Sequence, residues 1–417
     1  MIRIAFLWDE SFLWALLAWK GFNALGVRPE VVTSEDVRRG ALSGCDILFV
    51  PGGWASDKTV ALGDEGAEAI RSFVQGGGSY LGFCGGAGLA LDVKGGLALT
   101  HASRIPTGHR VPSFSGEVNL VPGDKGHPIW RGIGSPYTFS AWWPGQFHLG
   151  DGEGIKVVAT YGNPGRDFCL ADLPASDIEG HDDGWGKWEE AYGINLDPAR
   201  LVGEPAIIET YYGKGTVFLS YLHLETPGSR KGNRALLNLV EYLSNNARKA
   251  KGASKGKAVK ARLTAHPVSD EAFKAADEML RTANDFIAFG ERNFLWYWRN
   301  SWVLQWRRGV RGVEYSMLYG MLKEVADSLK SKRTSTNPLL SIKLLALREM
   351  VLPFLEDAKG LLMKERFALM NGGMSTIRSN DASVDALRER LFSGKKRLGG
   401  EFKAILDLLD EVVRGVL

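Results

Sequence analysis

The stretch Gly77–Leu91, GGSYLGFCGGAGLAL, decides the fold. It begins with a buried-strand pattern, SYLGFC, and continues as a run of small residues that favours a helix. Cys84 lies at the junction, in a G-x-C-x-G pattern. A strand that turns sharply into a helix requires small residues at the turn and holds the side chain at its tip in a strained, exposed position. The pattern predicts a thiol nucleophile in an α/β domain, and a purely structural buried cysteine is the alternative.

The same alternation of strands and helices extends over residues 1–246. We expect strands in IRIAFLW, PEVVT and CDILFVPGG, helices in FLWALLAWKGFNALG, DEGAEAIRSFVQGGG and NRALLNLVEYLSNNA, and two strands joined by a tight turn in PAIIETYYGKGTVFLSYLHLE. Short apolar runs that alternate with helices are typical of a doubly wound, mostly parallel sheet.

Residues 263–417 show apolar residues three and four apart and almost no strand pattern, which predicts an all-α helical bundle domain. Pro353 is expected to kink or divide one of its helices. Trp298, Trp302 and Trp306 would share one face of another helix. Packing of this face in a core is favoured, and a membrane-surface or partner-binding helix is the alternative.

The two parts differ in charge. Residues 1–246 carry 20 Lys and Arg against 28 Asp and Glu, a net of −8, which leaves 31 against 20, or +11, for residues 247–417. Residues 247–262, ARKAKGASKGKAVKAR, contain seven basic residues and no acidic or aromatic ones, which predicts a solvated basic linker. A nucleic-acid-binding tail is the less favoured interpretation because no aromatic is available for stacking.

Composition narrows the class of protein. The three cysteines, Cys45, Cys84 and Cys169, show no C-x-x-C spacing, so we expect neither a disulfide framework nor a thiolate metal site. The start, MIRIAFLWDE, does not resemble a signal peptide, and no apolar run is long enough for a transmembrane segment. The sequence therefore predicts a cytoplasmic protein with no cofactor, no metal and no nucleic-acid partner.

A base for Cys84 is expected in the last strand of the α/β part, where an apolar run ends in His223-Leu224-Glu225. The carboxyl ends of parallel strands share one edge of a sheet, so the thiol and the imidazole can meet although 139 positions separate them. His223 would take the thiol proton and Glu225 would fix its tautomer. Four other histidines, His101, His109, His127 and His148, lie in loop-like sequence, where a solvated surface position is the default.

Consecutive glycines end the third strand, in Pro51-Gly52-Gly53. Their backbone N–H groups, with that of Gly85, could form an oxyanion hole at the same edge. An ordinary turn between strand and helix is the alternative.

Residues 171–190 are acidic and rich in aromatics and glycine. A surface loop is the default, and a lid in which Trp185 and Trp188 exclude water is the alternative. Contact of His181, Asp182 and Asp183 with a metal or a cationic substrate is least favoured, because adjacent residues seldom converge on one ion.

These motifs together resemble the class I glutamine amidotransferase-like, flavodoxin-like fold over residues 1–246, and most closely the amidotransferase-like N-terminal domain of eukaryotic biotin–protein ligases. The segment AWWPGQF, residues 141–147, is similar to an aromatic-aromatic-Asn-Gly-Gly-x-Phe segment of that domain, with Pro144 in place of Asn. It adds Trp142 and Trp143 as candidate pocket residues. The resemblance implies Cys84 as nucleophile, His223 as base, Glu225 as third member and Gly52, Gly53 and Gly85 as the oxyanion region.

Two positions depart from the glutaminase pattern. Gly88 stands where glutaminases carry a glutamine after the nucleophile, and Leu224 replaces the proline of their H-P-E motif. The sequence therefore argues against glutamine as the substrate. The helical second part lacks the Gly/Arg-rich loop of biotin ligases, which argues against biotinylation.

The leading hypothesis is a hydrolase or acyl transferase that attacks a small-molecule or peptide amide, or a related carbonyl, through a thioester on Cys84. A binding or regulatory module without catalysis is the alternative. A peptidase of the intracellular-protease branch is the third, although that branch has a histidine where Gly85 stands. The helical part would shape access to the site or contact a protein partner.

Overall fold

A computed structural model describes residues 2–180, 184–251, 266–332, 334–335, 339–372, 379–393 and 398–417. The chain forms two compact units, Met1–Ala258 and Val259–Leu417, called here the α/β unit and the helical unit.

The α/β unit contains thirteen strands and seven α-helices among its described residues. The strands are β1 (Ile4–Leu7), β2 (Glu30–Val32), β3 (Ile47–Val50), β4 (Ser79–Phe83), β5 (Ser103–Arg104), β6 (Phe114–Pro122), β7 (Tyr137–Trp142), β8 (Phe147–His148), β9 (Lys156–Pro164), β10 (Cys169–Leu170), β11 (Leu173–Pro174), β12 (Pro205–Tyr212) and β13 (Gly215–Ser220). The helices are α1 (Leu13–Ala24), α2 (Ser34–Arg38), α3 (Ala55–Gln75), α4 (Gly85–Ala90), α5 (Ala175–Ile178), α6 (Gly184–Tyr192) and α7 (Arg230–Lys251).

One mixed sheet organises this unit. Its order is β11-β10-β6-β9-β12-β13-β4-β3-β1-β2, and β7 pairs with β6. Parallel pairing links the five strands β2, β1, β3, β4 and β13. Beyond β13, the β13–β12 and β12–β9 pairs are antiparallel. From β1 the chain continues to β2 on one side of β1 and then to β3 on the other side. This reversal creates a crevice at the carboxyl ends of β1 and β3, the place where open α/β sheets bind ligands.

Helices cover both faces of the parallel strands. Successive side chains of a strand point to opposite faces, and every residue of β1, β3, β4 and β13 is buried. On one face, Leu7, Val50 and Tyr80 share a core with Ile70 and Val74 of α3. All five are fully buried.

The other face carries a chain of aromatic rings. Phe22 of α1 meets Phe49 edge to face with ring centroids 4.9 Å apart, and Phe49 meets Phe83 at 5.3 Å. Such pairs add about 0.5–1.5 kcal/mol each to the burial of the rings. The predicted fold class, a doubly wound α/β sheet followed by a helical region, is confirmed.

Two boundaries differ from the sequence-based expectation. α3 begins at Ala55, before the predicted start at Asp64, and includes one non-helical residue, Gly63, with φ 60° and ψ −177°. α7 continues to Lys251 with Ala247 buried, so the first five residues of the predicted linker are helical. Residues 252–262 of that linker lie outside the described residues.

The helical unit contains α8 (Asp270–Arg292), α9 (Gly312–Lys332), α10 (Leu340–Met370), α11 (Ala382–Phe392) and α12 (Gly400–Val416), with short strands β14 (His266–Pro267), β15 (Trp296–Trp298), β16 (Leu304–Trp306) and β17 (Thr334–Ser335). The predicted tryptophan-bearing helix is wrong, because β15 and β16 form an antiparallel hairpin. Pro353 lies inside α10 and does not divide it. Within the described ranges, no helix is sufficiently long and apolar to traverse a membrane.

Candidate active site

Cys84 lies on a strained turn at the edge of the sheet. It directly follows β4 and precedes α4, with φ 48° and ψ −105°, a conformation that side-chain-bearing residues rarely adopt. Its N–H donates to the carbonyl of Ser220 at 2.8 Å, and its own carbonyl accepts from the N–H of Gly88 at 2.9 Å. The thiol is therefore held by backbone bonds from both sides and is half-buried.

His223 and Glu225 form a buried pair just beyond β13. The imidazole Nδ1 donates to Glu225 Oε1 at 2.7 Å, and both side chains are 2% exposed. Burial by itself lowers the pKa of His223. The negative charge of Glu225 and the neighbouring Cys84 thiol outweigh burial and raise this pKa to about 10.

The thiol and the imidazole come together because β4 and β13 are adjacent parallel strands. Phe83 and Ser220 are register partners, so Cys84 and His223 leave the sheet at the same edge. The Cys84 thiol interacts with the imidazole closely enough to raise its pKa. Among the described residues, His223 Nε2 has no hydrogen-bond partner of standard geometry, so this nitrogen is not committed elsewhere.

The predicted glycines bring two turns into contact beside Cys84. A Cβ on Gly85 would lie 1.9 Å from the carbonyl oxygen of Gly53, and a Cβ on Gly52 would lie 3.0 Å from His223 Cε1. No larger residue fits at Gly85 without moving a backbone. The first N–H groups of α4 have no intrahelical partner, as at any helix start. Their use as an oxyanion hole stays a prediction.

Backbone strain is concentrated at this edge. Four of the eight described non-glycine residues with positive φ lie here: Glu10, Phe12, Cys84 and Trp143. Glu10 and Phe12 belong to the loop after β1, and the carbonyl of Glu10 lies against Gly53, where a Cβ would approach within 2.2 Å. Strained residues cluster at functional sites because only an over-determined surrounding structure maintains them.

Tryptophans surround the imidazole. The ring of Trp14, in the first turn of α1, lies 5.0 Å from that of His223 and 6.2 Å from that of Trp143. The carbonyl of Trp142 is 3.9 Å from Cys84 Sγ. Trp142 and Trp143 are pocket candidates from the sequence, whereas Trp14 is not, because a tryptophan in the first turn of a largely buried helix gives no chemical signal.

Three further polar residues lie near the thiol and were not predicted. Arg110, Tyr161 and Tyr221 interact electrostatically with Cys84 and with each other. Tyr221 could have been found, because it lies two positions before His223 at the end of β13, where alternate residues share a face. Arg110 and Tyr161 come from distant loop and strand positions and give no sequence signal.

The other predicted positions have mixed outcomes. His101, His109 and His148 are exposed as expected, but His127 is 3% exposed, with its Nε2 3.4 Å from Glu209 Oε2, so its surface assignment is wrong. It is buried because the connection between β6 and β7 packs against α7, where Tyr242 contacts its ring.

The stretch proposed as a lid, residues 171–190, contains α5 and most of α6. Trp185 and Trp188 are half-buried, and the ring of Trp188 meets that of Tyr192 at 5.9 Å. His181, Asp182 and Asp183 lie outside the described residues. Among the residues that the structure describes, no group of three His, Cys, Asp or Glu side chains converges in a way that could hold a metal. The lid stays a prediction.

Comparisons with known proteins agree with the resemblance found in the sequence. Residues 27–92 match the family model described as biotin-protein ligase, N terminal. The matched segment includes Gly52, Gly53, Cys84 and Gly85 and ends before His223 and Glu225. A comparison with curated proteins gives no match.

Solved structures similar to this chain include several proteins of diverse function. One is described as a GMP synthase subunit from Thermoplasma acidophilum, at 15% identity and TM-score 0.38, over 60% of this chain and 96% of that one. PurLQS from Thermotoga maritima is similar at 15% identity and TM-score 0.38, over 58% and 99%. A β-galactosidase from Rahnella sp. R3 is similar at 15% and TM-score 0.37, over 58% and 31%.

Proposed function

We propose that the α/β unit, part of which matches the N-terminal family of biotin–protein ligases, is a cysteine hydrolase or acyl transferase. Its substrate is an amide or a related carbonyl of a small molecule or peptide. The observation that carries this proposal is the position of Cys84, on a strained turn beside an imidazole that is itself paired with the buried carboxylate of Glu225.

The charge state of His223 supports nucleophilic catalysis. A pKa of about 10 keeps the imidazole protonated at neutral pH. A positive charge beside a thiol favours the thiolate, which is the nucleophile. Glu225 stabilises the imidazolium and directs Nε2 away from itself, toward the thiol.

The reaction follows from these positions. The thiolate of Cys84 attacks the carbonyl carbon, a C–S bond forms, and the carbonyl electrons move to oxygen, where N–H groups at Gly53 and Gly85 would stabilise them. Collapse breaks the C–N bond as His223 gives its proton to the departing amine. The thioester remains. Water or an acceptor amine then attacks it while His223 takes the proton, and the thiolate departs.

A binding or regulatory module without catalysis is the second candidate. It is favoured by Gly88, which occupies the position of the substrate-binding glutamine of glutaminases and has no side chain to replace it. In that case the buried pair of His223 and Glu225 would serve stability alone.

Alkylation by iodoacetamide at pH 7 separates the two candidates. A free thiol is only a few per cent thiolate at this pH, so a thiolate at Cys84 should react at least about tenfold faster than N-acetylcysteine. The His223→Gln variant should lose this advantage. Cys45 and Cys169 are buried, and burial raises the pKa of the Cys45 thiol, so peptide mapping provides slow internal controls.

Detection of a covalent acyl adduct on Cys84 completes the test. Incubation with a library of acyl-amides should give a covalent adduct, detected by mass spectrometry on the peptide containing Cys84 and absent from Cys84→Ser. Labelling no faster than N-acetylcysteine, together with no adduct, would reject the enzyme and leave the binding module.

A further inference from the structure

Buried polar groups that the proposed mechanism does not use lie near Cys84. The hydroxyls of Tyr161 and Tyr221 and the Nε of Arg110 are buried and have no hydrogen-bond partner in the part of the chain that the structure describes. Tyr161 is fully buried and Tyr221 is 2% exposed. Buried polar atoms are nearly always paired, so three unpaired ones near each other indicate a ligand group that pairs with them.

Two of these groups contact the loop that follows β7. Arg110 Nη1 donates to the carbonyl of Pro144 at 3.1 Å. The hydroxyl of Tyr221 lies against Gly145, where a Cβ would approach it within 2.6 Å. Pro144 and Gly145 are adjacent in this loop, so the Arg110 guanidinium and the Tyr221 phenol lie close to each other.

The same loop connects these groups to the thiol and to the second phenol. Trp142, the last residue of β7, has its carbonyl 3.9 Å from Cys84 Sγ. Trp143, the first residue of the loop, donates its N–H to the carbonyl of Phe114 at 2.9 Å, and the Phe114 ring meets that of Tyr161 at 5.7 Å.

The electrostatics agree with this placement. Burial raises the pKa of Tyr161 and of Tyr221, so both phenols stay neutral and can donate. Burial lowers the pKa of Arg110 and nearby Arg104 lowers it further, while Tyr221, Cys84 and Tyr161 act in the opposite direction. Each of the three residues thus interacts with the other two and with the thiol.

We propose that Arg110, Tyr161 and Tyr221 form a subsite for a carboxylate carried by the substrate of Cys84. This inference rests on the proposed function. A carboxylate has two acceptor oxygens and a negative charge, which match a guanidinium that donates from a fixed fork and two phenols that donate one bond each. A neutral amide group would leave the charge of Arg110 without a counterpart.

The test compares two reagents that alkylate the same thiol. Iodoacetate carries a carboxylate and iodoacetamide carries a neutral amide in its place. We define the ratio as the alkylation rate with iodoacetate divided by the rate with iodoacetamide. Comparing this ratio at Cys84 with that of N-acetylcysteine reports recognition of the carboxylate, independently of the thiol's own reactivity. We expect the wild-type ratio to exceed that of N-acetylcysteine by at least tenfold.

Three variants assign the effect to individual groups. Arg110→Gln should reduce the ratio about tenfold or more, and Tyr161→Phe and Tyr221→Phe should each reduce it about threefold to tenfold without a change in charge. The control Arg39→Gln removes an exposed arginine that pairs with Glu35 on the surface, and it should keep the wild-type ratio. A wild-type ratio equal to that of N-acetylcysteine, or Phe variants that keep the wild-type ratio, would overturn the proposal.

A binding measurement separates failure of the subsite from failure of the enzyme. Isothermal titration with sodium succinate at constant ionic strength should give saturable binding to the full-length protein and none to Arg110→Gln. If Cys84 reacts with neither reagent, the proposed function fails and succinate binding alone decides on the subsite. Saturable binding of inorganic phosphate without binding of succinate would overturn the assignment to a carboxylate.

Discussion

Replacing Glu225 by glutamine removes the negative charge beside His223 and keeps the shape of the side chain. In the wild-type protein the carboxylate accepts from Nδ1 at 2.7 Å and contributes to a His223 pKa of about 10. In the variant only burial and the thiol remain, and burial lowers the pKa. We therefore expect the His223 pKa of Glu225→Gln to fall from about 10 toward the ordinary histidine value of about 6.5.

The size of the effect follows from the two pKa values. At pH 7 roughly one wild-type molecule in a thousand would carry a neutral imidazole, against about three quarters of the variant molecules. The stability effect has a definite sign. A folded-state pKa raised above the unfolded value contributes stability that is complete below about pH 6.5 and is lost as the pH rises through 10. Between these values the wild-type advantage should decrease by about 1.4 kcal/mol per pH unit.

The assay is an NMR titration of the imidazole carbons with histidine-selective labelling, together with denaturant unfolding at pH 7, 8 and 9. The control is Glu209→Gln, which removes another buried carboxylate facing a histidine, His127, in the same sheet. It should leave the His223 titration unchanged. Equal His223 midpoints in wild type and Glu225→Gln, or a stability difference that does not vary with pH, would refute the assignment of this pair.

Two stability predictions follow from packing and burial. Gly85→Ala places a Cβ 1.9 Å from a backbone oxygen and should lower the melting temperature by several degrees, whereas Gly88→Ala in the same helix meets only a methyl at 3.5 Å and should leave it unchanged or raised. Arg388→Ala leaves Glu365, 1% exposed, without its cation and should cost about 3–5 kcal/mol in urea unfolding, while Arg390→Ala, in a surface pair, should cost less than about 1 kcal/mol. Equal effects within either pair of variants would contradict the geometry.

The sequence predicts that Cys84 and His223 lie close together because their positions follow from the order and direction of the strands. Parallel strands end at one edge, and the residue after an apolar run lies just outside the sheet. Side chains that approach from elsewhere follow no such rule. Arg110 reaches the site from the loop before β6, and Tyr161 from an antiparallel strand, so only the folded chain reveals them.

The tryptophan hairpin of β15 and β16 differs from the helix that the sequence pattern predicts. Trp298, Trp302 and Trp306 would share one face of a helix. In the structure Trp298 and Trp306 lie on the two strands of the hairpin, and Trp302 lies in the connection between them. The deciding signal was Asn300, whose side chain accepts from the N–H groups of Trp302 and Val303 and forms the turn between β15 and β16.

The hydrogen bond from the Cys84 amide to the Ser220 carbonyl ties the turn that carries Cys84 to the middle of the parallel sheet. Opening this bond requires separating two central strands, so its amide proton should exchange with deuterium only in the rarest, near-global fluctuations. In the proposed mechanism, a nucleophile anchored in this way is in place before any substrate arrives. Selectivity must then come from the surrounding loops, which can diversify while the sulfur keeps its position.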